Sequence, residues 1–422
     1  MKQFIFPIIF FVVFILIDFY AYRGFRQLTL KWSAKAKTGL KYIFWTPTVL
    51  MVVLFAIMMI SMSKESGRPP EWFMIIMSWI FVLGISKMVF IIFHFGNDVI
   101  HFFRWVWSKW RKDPTQERNG ISRMQFLNQV GLGVSAAMFS SFVYGMVKGK
   151  FDFTIRREFL KFPHFPSQKV IKIIQLSDAH LGTFGPSGVD EVSVIVEMIN
   201  NENPDFIFFT GDLVNNIADE AEPFVEVFSN LKARYGKYSI LGNHDYAEYI
   251  YRGDSPEMIE KKRVNMIQLE SVHRRMGFKL LRNEQVEVPT ESGVPYYIIG
   301  LENWGRHFFQ FGDLVKASQG IPVDAFQILL SHDPTHFEEE VMGKGNIALT
   351  LSGHTHGAQF GVEAPELDIK WSPSPWFGYK RWGGLYQEGK NYLYVNRGLG
   401  CLGFPGRVGI APEITVIEIA HA

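Results

Sequence analysis

The chain has 422 residues, 48% hydrophobic and 15% aromatic, with a formal net charge of +2. That length fits two domains or one domain plus a membrane region, and the near-neutral charge argues against a nucleic-acid partner, which needs a basic face. The single cysteine, Cys401, excludes an intrachain disulfide and a thiolate zinc module.

Apolar residues crowd into the first third. Phe4 to Tyr22 is almost uninterrupted apolar sequence, long enough to cross a bilayer, and it carries no small-residue cleavage site. Asp18 sits near its end, where it reaches the interface or a partner helix. Further spans are expected at Tyr42 to Met62, Trp72 to Phe93 and Phe126 to Val147. A polar loop, Ser63 to Glu71, joins the second and third. Lys87 lies inside the third span and must snorkel or face other helices. The fourth contains Gly131, Gly133, Ser135, Ala136 and Ala137, small residues that allow close helix packing. Between them, Gly96 to Gly120 carries Arg104, Trp105, Trp107, Lys109, Trp110, Arg111 and Lys112 and reads as a helix entering the membrane interface. His94, Asp98 and His101 recur at helical spacing and could share one face. Interfacial packing is the plain reading of them, and a second metal site the sharper one.

The loops after the first and third spans are the basic ones, which places both in the cytoplasm. Four spans then leave the chain after residue 148 on the far side of the cytoplasmic membrane. Lys148, Lys150, Arg156, Arg157 and Lys161 pull the other way, and a fourth span lying on the surface would return the domain to the cytoplasm. The expectation is an integral, multi-pass inner-membrane protein: residues 1–150 in the membrane region, residues 151–422 forming an extracytoplasmic domain.

From Phe151 the pattern becomes an alternating α/β one. Strands are expected at Val170–Leu176, Asp205–Phe209, Tyr238–Leu241, Tyr296–Ile299, Phe326–Leu330, Ile347–Leu351, Tyr392–Val395 and Ile414–Ile419. Helices are expected near Val189–Asn200, Ala221–Arg234 and Pro256–Met276, giving a layered α/β domain.

Polar groups recur where these strands end. The first ends in Ser177-Asp178-Ala179-His180, the second in Thr210-Gly211-Asp212, the third in Gly242-Asn243-His244-Asp245. Two later strands end in Ser331-His332-Asp333 and Ser352-Gly353-His354-Thr355-His356. Gly242 lets the backbone turn sharply. Any one of these stretches reads equally well as a polar turn. Five together, each after an apolar run, converge at the carboxyl edge where open α/β sheets place their sites. Without His244 they offer two carboxylates, one amide oxygen and four imidazoles, too many donors for one ion and right for two. Mixed nitrogen and oxygen donors suit Mn, Fe or Zn better than Mg or Ca.

As a set, D-x-H, G-D, G-N-H-D, H and G-H-x-H resemble the calcineurin-like metallophosphoesterase superfamily, over about Val170 to Ile419. The resemblance implies a four-layered αββα sandwich, here preceded by a bundle of about four transmembrane helices. It implies two divalent metal ions, manganese in first place: Asp178, His180 and His356 would hold one, Asn243, His332 and His354 the other, and Asp212 would bridge them. His244 would donate a proton to the leaving group or stabilise the phosphoryl oxygen, with Asp245 orienting it, while a metal-bridging hydroxide attacks phosphorus. The closing stretches Y-V-N-R-G-L-G and A-P-E-I-T-V-I-E-I are similar to a membrane-associated bacterial branch of phosphodiesterases and UDP-2,3-diacylglucosamine pyrophosphatases. Its simple members carry one anchor, whereas four spans are expected here.

Substrate groups must come from loops between the motifs. Trp304, Arg306, His307, Phe308 and Phe309 form one aromatic-basic loop, and Pro373 to Trp382 another. Arg306, His307, Arg381 and Arg397 are nominated as substrate contacts. A phosphorylated, lipid-linked substrate would use both aromatic surface and cations; anchoring on membrane lipids is the plainer use of the same residues. The expected activity is hydrolysis of a phosphodiester or pyrophosphate bond. Its rivals are a phosphomonoesterase and a non-catalytic sensor of a phospholigand.

Overall fold

The computed structural model describes residues 2–62, 71–110 and 123–422. Of the expected loop Ser63 to Glu71, residues 63–70 lie outside the described residues, as do residues 111–120 of the basic, aromatic segment. Contacts divide the chain into two units, Met1–Tyr144 and Gly145–Ala422.

The first unit is built from four helices: α1 (Lys2–Leu28), α2 (Ala34–Met62), α3 (Glu71–Trp110) and α4 (Arg123–Val147). Within them Ala34–Ile57, Met74–Trp107 and Gln125–Val147 are long and apolar enough to cross a membrane. The third expected span and the start of the basic, aromatic segment form one 40-residue helix, with no proline to break it. Charges inside such helices persist only when paired. Lys87 accordingly places its Nζ 2.6 Å from Oδ1 of Asp18, whose other oxygen accepts from Thr48, so one polar cluster ties α1, α2 and α3. His94, Asp98 and His101 do not converge on an ion. The His94 ring lies 3.2 Å from Asn128 of α4, Tyr20 of α1 donates to Asp98 at 2.9 Å, and His101 is exposed.

The second unit rests on two six-stranded sheets. In chain order the strands are β1 (Thr154–Phe162), β2 (Ile171–Leu176), β3 (Phe206–Thr210), β4 (Gly236–Ile240), β5 (Lys279–Leu280), β6 (Glu284–Val288), β7 (Tyr296–Gly300), β8 (Gln327–Leu330), β9 (Ile347–Ser352), β10 (Val362–Ala364), β11 (Ile369–Trp371), β12 (Gly384–Glu388), β13 (Asn391–Val395) and β14 (Glu413–His421). One sheet runs β1-β14-β2-β3-β4-β5, the other β12-β13-β9-β8-β7-β6, and β10 with β11 makes a separate hairpin.

Period-two alternation builds the layers. Ile171, Ile173, Phe206 and Phe208 meet Ile298, Ile328, Leu330 and Leu349 between the sheets. Their neighbours Ile174, Leu176, Ile207 and Phe209 point outward, under α5 (Val189–Asn201), α6 (Val225–Ser229) and α7 (Pro256–Arg275). Ile299, Leu329 and Leu393 do the same on the other side, beneath Ala317, Phe337 and Val341. This is the four-layered αββα sandwich that the motifs imply.

Strands β1, β5, β6, β10, β11 and β12 lie outside the expected set, and one expected helix takes another form. The helix expected over Ala221–Arg234 is a 3-10 turn, Ala218–Phe224, followed by the five-residue α6, because Pro223 lacks the N–H that an α-helix would use. Strand β1 was not expected, since Arg156, Arg157, Glu158 and Lys161 mask its pattern. It lies at a sheet edge and pairs in parallel with β14, where charged side chains are tolerated.

His273 of α7 is buried against Phe209, with both ring nitrogens unpartnered among the described residues. Burial pushes it down to about 4. An unfolded histidine titrates near 6.5, so as pH falls below 6.5 the unfolded chain binds a proton that the folded one refuses. Stability is therefore lost between pH 6.5 and 4, by about 3 kcal/mol for this residue. Melting curves at pH 7 and pH 4.5 should show His273→Phe losing less stability than the parent; equal losses would remove His273 as the cause.

Candidate metal centre

Five loops meet at the carboxyl edge of the parallel strands. After β2 comes Asp178-x-His180, after β3 Gly211-Asp212, after β4 Asn243-His244-Asp245, after β8 His332-Asp333, and after β9 His354-x-His356. Backbone bonds tie the β2 loop to the β3 loop and the β9 loop to the β8 loop. Asp178 N–H donates to Gly211 at 2.9 Å, His180 N–H to Asp212 at 3.2 Å, and Gly353 N–H to His332 at 2.9 Å. Asp178, His180, Asp212, His354 and His356 all adopt left-handed φ, between 42° and 70°. Asp and His visit this region more readily than most residues, but each visit costs energy that only the surrounding loops can hold. Gly242 departs from expectation. Its φ is ordinary, and glycine is needed because a Cβ would run into the Asp212 carboxylate.

Six of the seven expected ligands come together in two groups of three. Donor atoms of Asp178, His180 and His356 lie within 4.8 Å of one another, as do those of Asp212, His332 and His354. The Nε2 atoms of His180 and His356 are 3.1 Å apart, and Nδ1 of His354 is 3.2 Å from Nε2 of His332. Lone pairs at that spacing repel unless a cation or a shared proton lies between them. Asp212 offers one oxygen to both groups: its Oδ2 is 3.6 Å from His180 and 3.2 Å from His332. Its Oδ1 is occupied by the His244 N–H at 2.8 Å.

The outer hydrogen bonds fix which atoms remain free. His332 donates from Nδ1 to the Thr210 carbonyl at 2.7 Å, leaving Nε2 for the centre. Nε2 of His354 lies 2.8 Å from the Tyr379 hydroxyl, leaving Nδ1 inward. Asn243 donates its amide N–H to Tyr249 at 2.8 Å, while its buried Oδ1 has no partner among the described residues. An orphaned buried carbonyl oxygen costs about 1–3 kcal/mol; a cation beside it removes that cost. The residues present therefore fit a pair of divalent ions.

His244 is half-buried, and its ring centre lies 5.0 Å from that of His180. Its Nδ1–H donates to the Asn215 carbonyl at 2.7 Å, and its ring packs on Tyr249 and edge-on to His180. Asp245 does not orient it, contrary to expectation. That carboxylate accepts from the amides of Gly242 at 2.8 Å, Asp212 at 2.9 Å, Leu213 at 3.0 Å and Val214 at 3.3 Å. It staples two ligand-bearing loops, and Asn215 is the orienting residue. Nothing in the spacing of Asn215 marks it out, because its carbonyl rather than its side chain does the work.

Both nominated loops line the mouth. Phe308 packs edge-on to His354 and Tyr379 tilts against its other side. Phe309 stacks on Phe311, near Tyr249. The nominated cations fare differently. Arg397 is buried and paired with Glu363 at 2.6 Å and Glu413 at 2.5 Å, so it is a strut and not a substrate contact. Arg306 is held by Glu338 and Glu339, and Arg381 by Glu338 and Glu388, so neither guanidinium is free to meet an anion. His307 is exposed beside Gly378. Sequence reasoning missed Arg407. It is fully buried, donates to the carbonyls of Arg397 and Gly400, and lies 3.1 Å from Nδ1 of His356.

Burial lowers the His332 imidazole, but the charges of Asp212 and Asp178 more than reverse this and push it up to about 10. The metal-free centre thus carries a proton on His332 at neutral pH, and a cation must displace it. Affinity of the stripped protein for a divalent ion should rise about tenfold per pH unit from pH 6 to 9. A metal titration in weak buffer should release close to one proton per chain. Release of none would mean that His332 is not displaced.

A sequence model of the probable calcineurin-like phosphoesterase transmembrane domain matches residues 2–150, and one of the calcineurin-like phosphoesterase domain matches residues 171–358. A metallophosphoesterase of Bacillus subtilis is 31% identical over 255 residues, covering 59% of this chain and 78% of that protein. A transmembrane protein with a metallophosphoesterase domain from Danio rerio is 30% identical over 260 residues, covering 60% of this chain. A Bos taurus protein of the same description is also 30% identical over 260 residues. The match takes in 54% of each of these two vertebrate proteins, so the chain spans about half their length.

Proposed function

The chain belongs to the calcineurin-like phosphoesterase family, and from that premise we propose that it hydrolyses a phosphodiester or pyrophosphate bond in a lipid-linked substrate such as UDP-2,3-diacylglucosamine. It is a membrane-associated metallophosphoesterase. The observation that carries the reading is Oδ2 of Asp212, which faces both ligand groups at once.

Asp178, His180 and His356 would hold one ion and Asn243, His332 and His354 the other, with Asp212 shared. When bound, the two ions supply Lewis acidity at the phosphoryl oxygens and a water acidified towards neutral pH. Manganese is the proposed pair, on the mixed imidazole and oxygen donor set. His244 keeps its Nδ1 proton on Asn215 and turns Nε2 to the reacting group, where a second proton can be passed to the leaving oxygen. The aromatic side chains of Tyr249, Phe308, Phe309 and Tyr379 surround the opening and exclude water.

Two features favour a lipid-linked diester. The helices of the first unit keep the enzyme at a bilayer, and the opening is aromatic. A monoester dianion calls for an extra cation, and Arg306 and Arg381 are already engaged by carboxylates. The proposed setting is multi-pass in the inner membrane; the basic loops favour a catalytic unit outside, which suits an envelope diester, whereas UDP-2,3-diacylglucosamine as substrate calls for the cytoplasmic side. Detergent-purified protein, metal-stripped and reloaded with Mn²⁺, should cleave bis-p-nitrophenyl phosphate faster than p-nitrophenyl phosphate. Cleavage of UDP-2,3-diacylglucosamine would support the lipid substrate and require a cytoplasmic face. Preference for the monoester would defeat the diester reading.

A further inference from the structure

We propose that the segment from Val362 to Phe377 docks into the surface of a lipid bilayer beside the mouth of the metal centre. Six large apolar side chains are exposed within it: Val362 at 51%, Leu367 at 71%, Ile369 at 43%, Trp371 at 49%, Trp376 at 76% and Phe377 at 66%. Elsewhere on this unit exposed apolar residues are scattered over many elements, which is ordinary for a soluble surface. A run this dense marks an interaction surface.

The fold explains why these residues stay uncovered. Strands β10 and β11 pair only with each other, Val362 opposite Trp371 and Ala364 opposite Ile369, so neither six-stranded sheet covers the hairpin. A single turn, Ser374–Phe377, then brings Trp376 edge-on to Trp371, their ring centres 5.9 Å apart. The base is firmly held. Buried Ser372 donates to the Gly357 carbonyl at 2.7 Å and meets Ser374 at 2.8 Å, and Gly361 N–H donates to Val408 at 2.9 Å. The segment is therefore a built projection, apolar at its tip and anchored one residue after the last metal-type ligand, His356.

Its chemistry selects a bilayer interface over a protein groove. Tryptophan and phenylalanine prefer the boundary between headgroups and acyl chains, and lysine reaches headgroups from there. Lys380 is exposed just beyond the segment, while Lys370 turns its ammonium back to the Gly383 carbonyl and Tyr386, and the chain already carries helices suited to a membrane. Phe377 lies two residues before Tyr379, whose hydroxyl touches His354, so a docked segment opens the centre next to the headgroup layer. Delivery of a lipid-linked substrate by this route rests on the function proposed above; the docking itself does not.

The test uses the full chain in phosphatidylcholine nanodiscs. A Trp376→Cys variant and a Val323→Cys variant are each labelled with an environment-sensitive fluorophore; Cys401 is buried. Val323 is 77% exposed but precedes β8, at the sheet end opposite the metal centre. The label at 376 is expected to shift to the blue and to be quenched about threefold more by spin-labelled lipid than the label at 323. Equal quenching would overturn the proposal. So would protection that depends on protein concentration and not on lipid, which would assign the surface to a second copy of the chain. Neither readout needs turnover, so a failure to hydrolyse any diester would count against the proposed function and leave docking to be judged by itself.

Discussion

Asp212→Asn should reduce phosphodiester hydrolysis by more than about 10³-fold, at least the scale lost when one preorganised electrostatic group is removed from a site. The substitution keeps the shape of the side chain and an acceptor for the His244 amide. It removes the charge shared by the two ligand groups, whose nearest imidazoles lie 3.6 and 3.2 Å from Oδ2. Metal content should fall with activity, because four buried imidazoles and one remaining carboxylate cannot neutralise two divalent ions. Folding should survive, since the loop is also held by Asp245 through three amides. An Asp212→Asn protein that kept both its metals and its turnover would end the shared-carboxylate account.

His244→Ala should behave in the opposite way towards metal. It is expected to lower kcat by about 10²–10⁴-fold, the range for a positioned proton donor, with metal content unchanged. The reason is geometric: His244 bonds outward to Asn215 and is not one of the six side chains that form the two donor groups. A leaving group that needs no proton, such as p-nitrophenolate, should show a smaller deficit than an alkoxide. Equal deficits for both would move His244 from proton transfer to charge stabilisation, and loss of metal would make it a ligand.

The donor residues of this centre were legible in the sequence because each follows a short, largely apolar strand. Burial of most of those strand residues keeps them apolar, and the cluster of polar residues after each run is then conspicuous. What a side chain does was harder to read than where it stands. Asp245 follows His244 directly and reads as its partner, yet the turn after Gly242 points the carboxylate at four backbone amides. Arg397 stands in a polar, glycine-rich stretch and reads as a surface cation, but two glutamates from distant segments, Glu363 and Glu413, draw it inside. Contacts made through backbone carbonyls, as by Asn215, leave no trace in residue type. The charged edge strand β1 and the proline-interrupted helix near Ala221 show the same limit for the fold: pairing in the tertiary structure overrides local pattern.

The most direct test of the central claim is anomalous scattering from crystals of the full chain loaded with Mn²⁺. The account predicts two manganese peaks on either side of Asp212, one beside Asp178, His180 and His356, the other beside Asn243, His332 and His354. A single peak, or a second one away from Asn243, would contradict it.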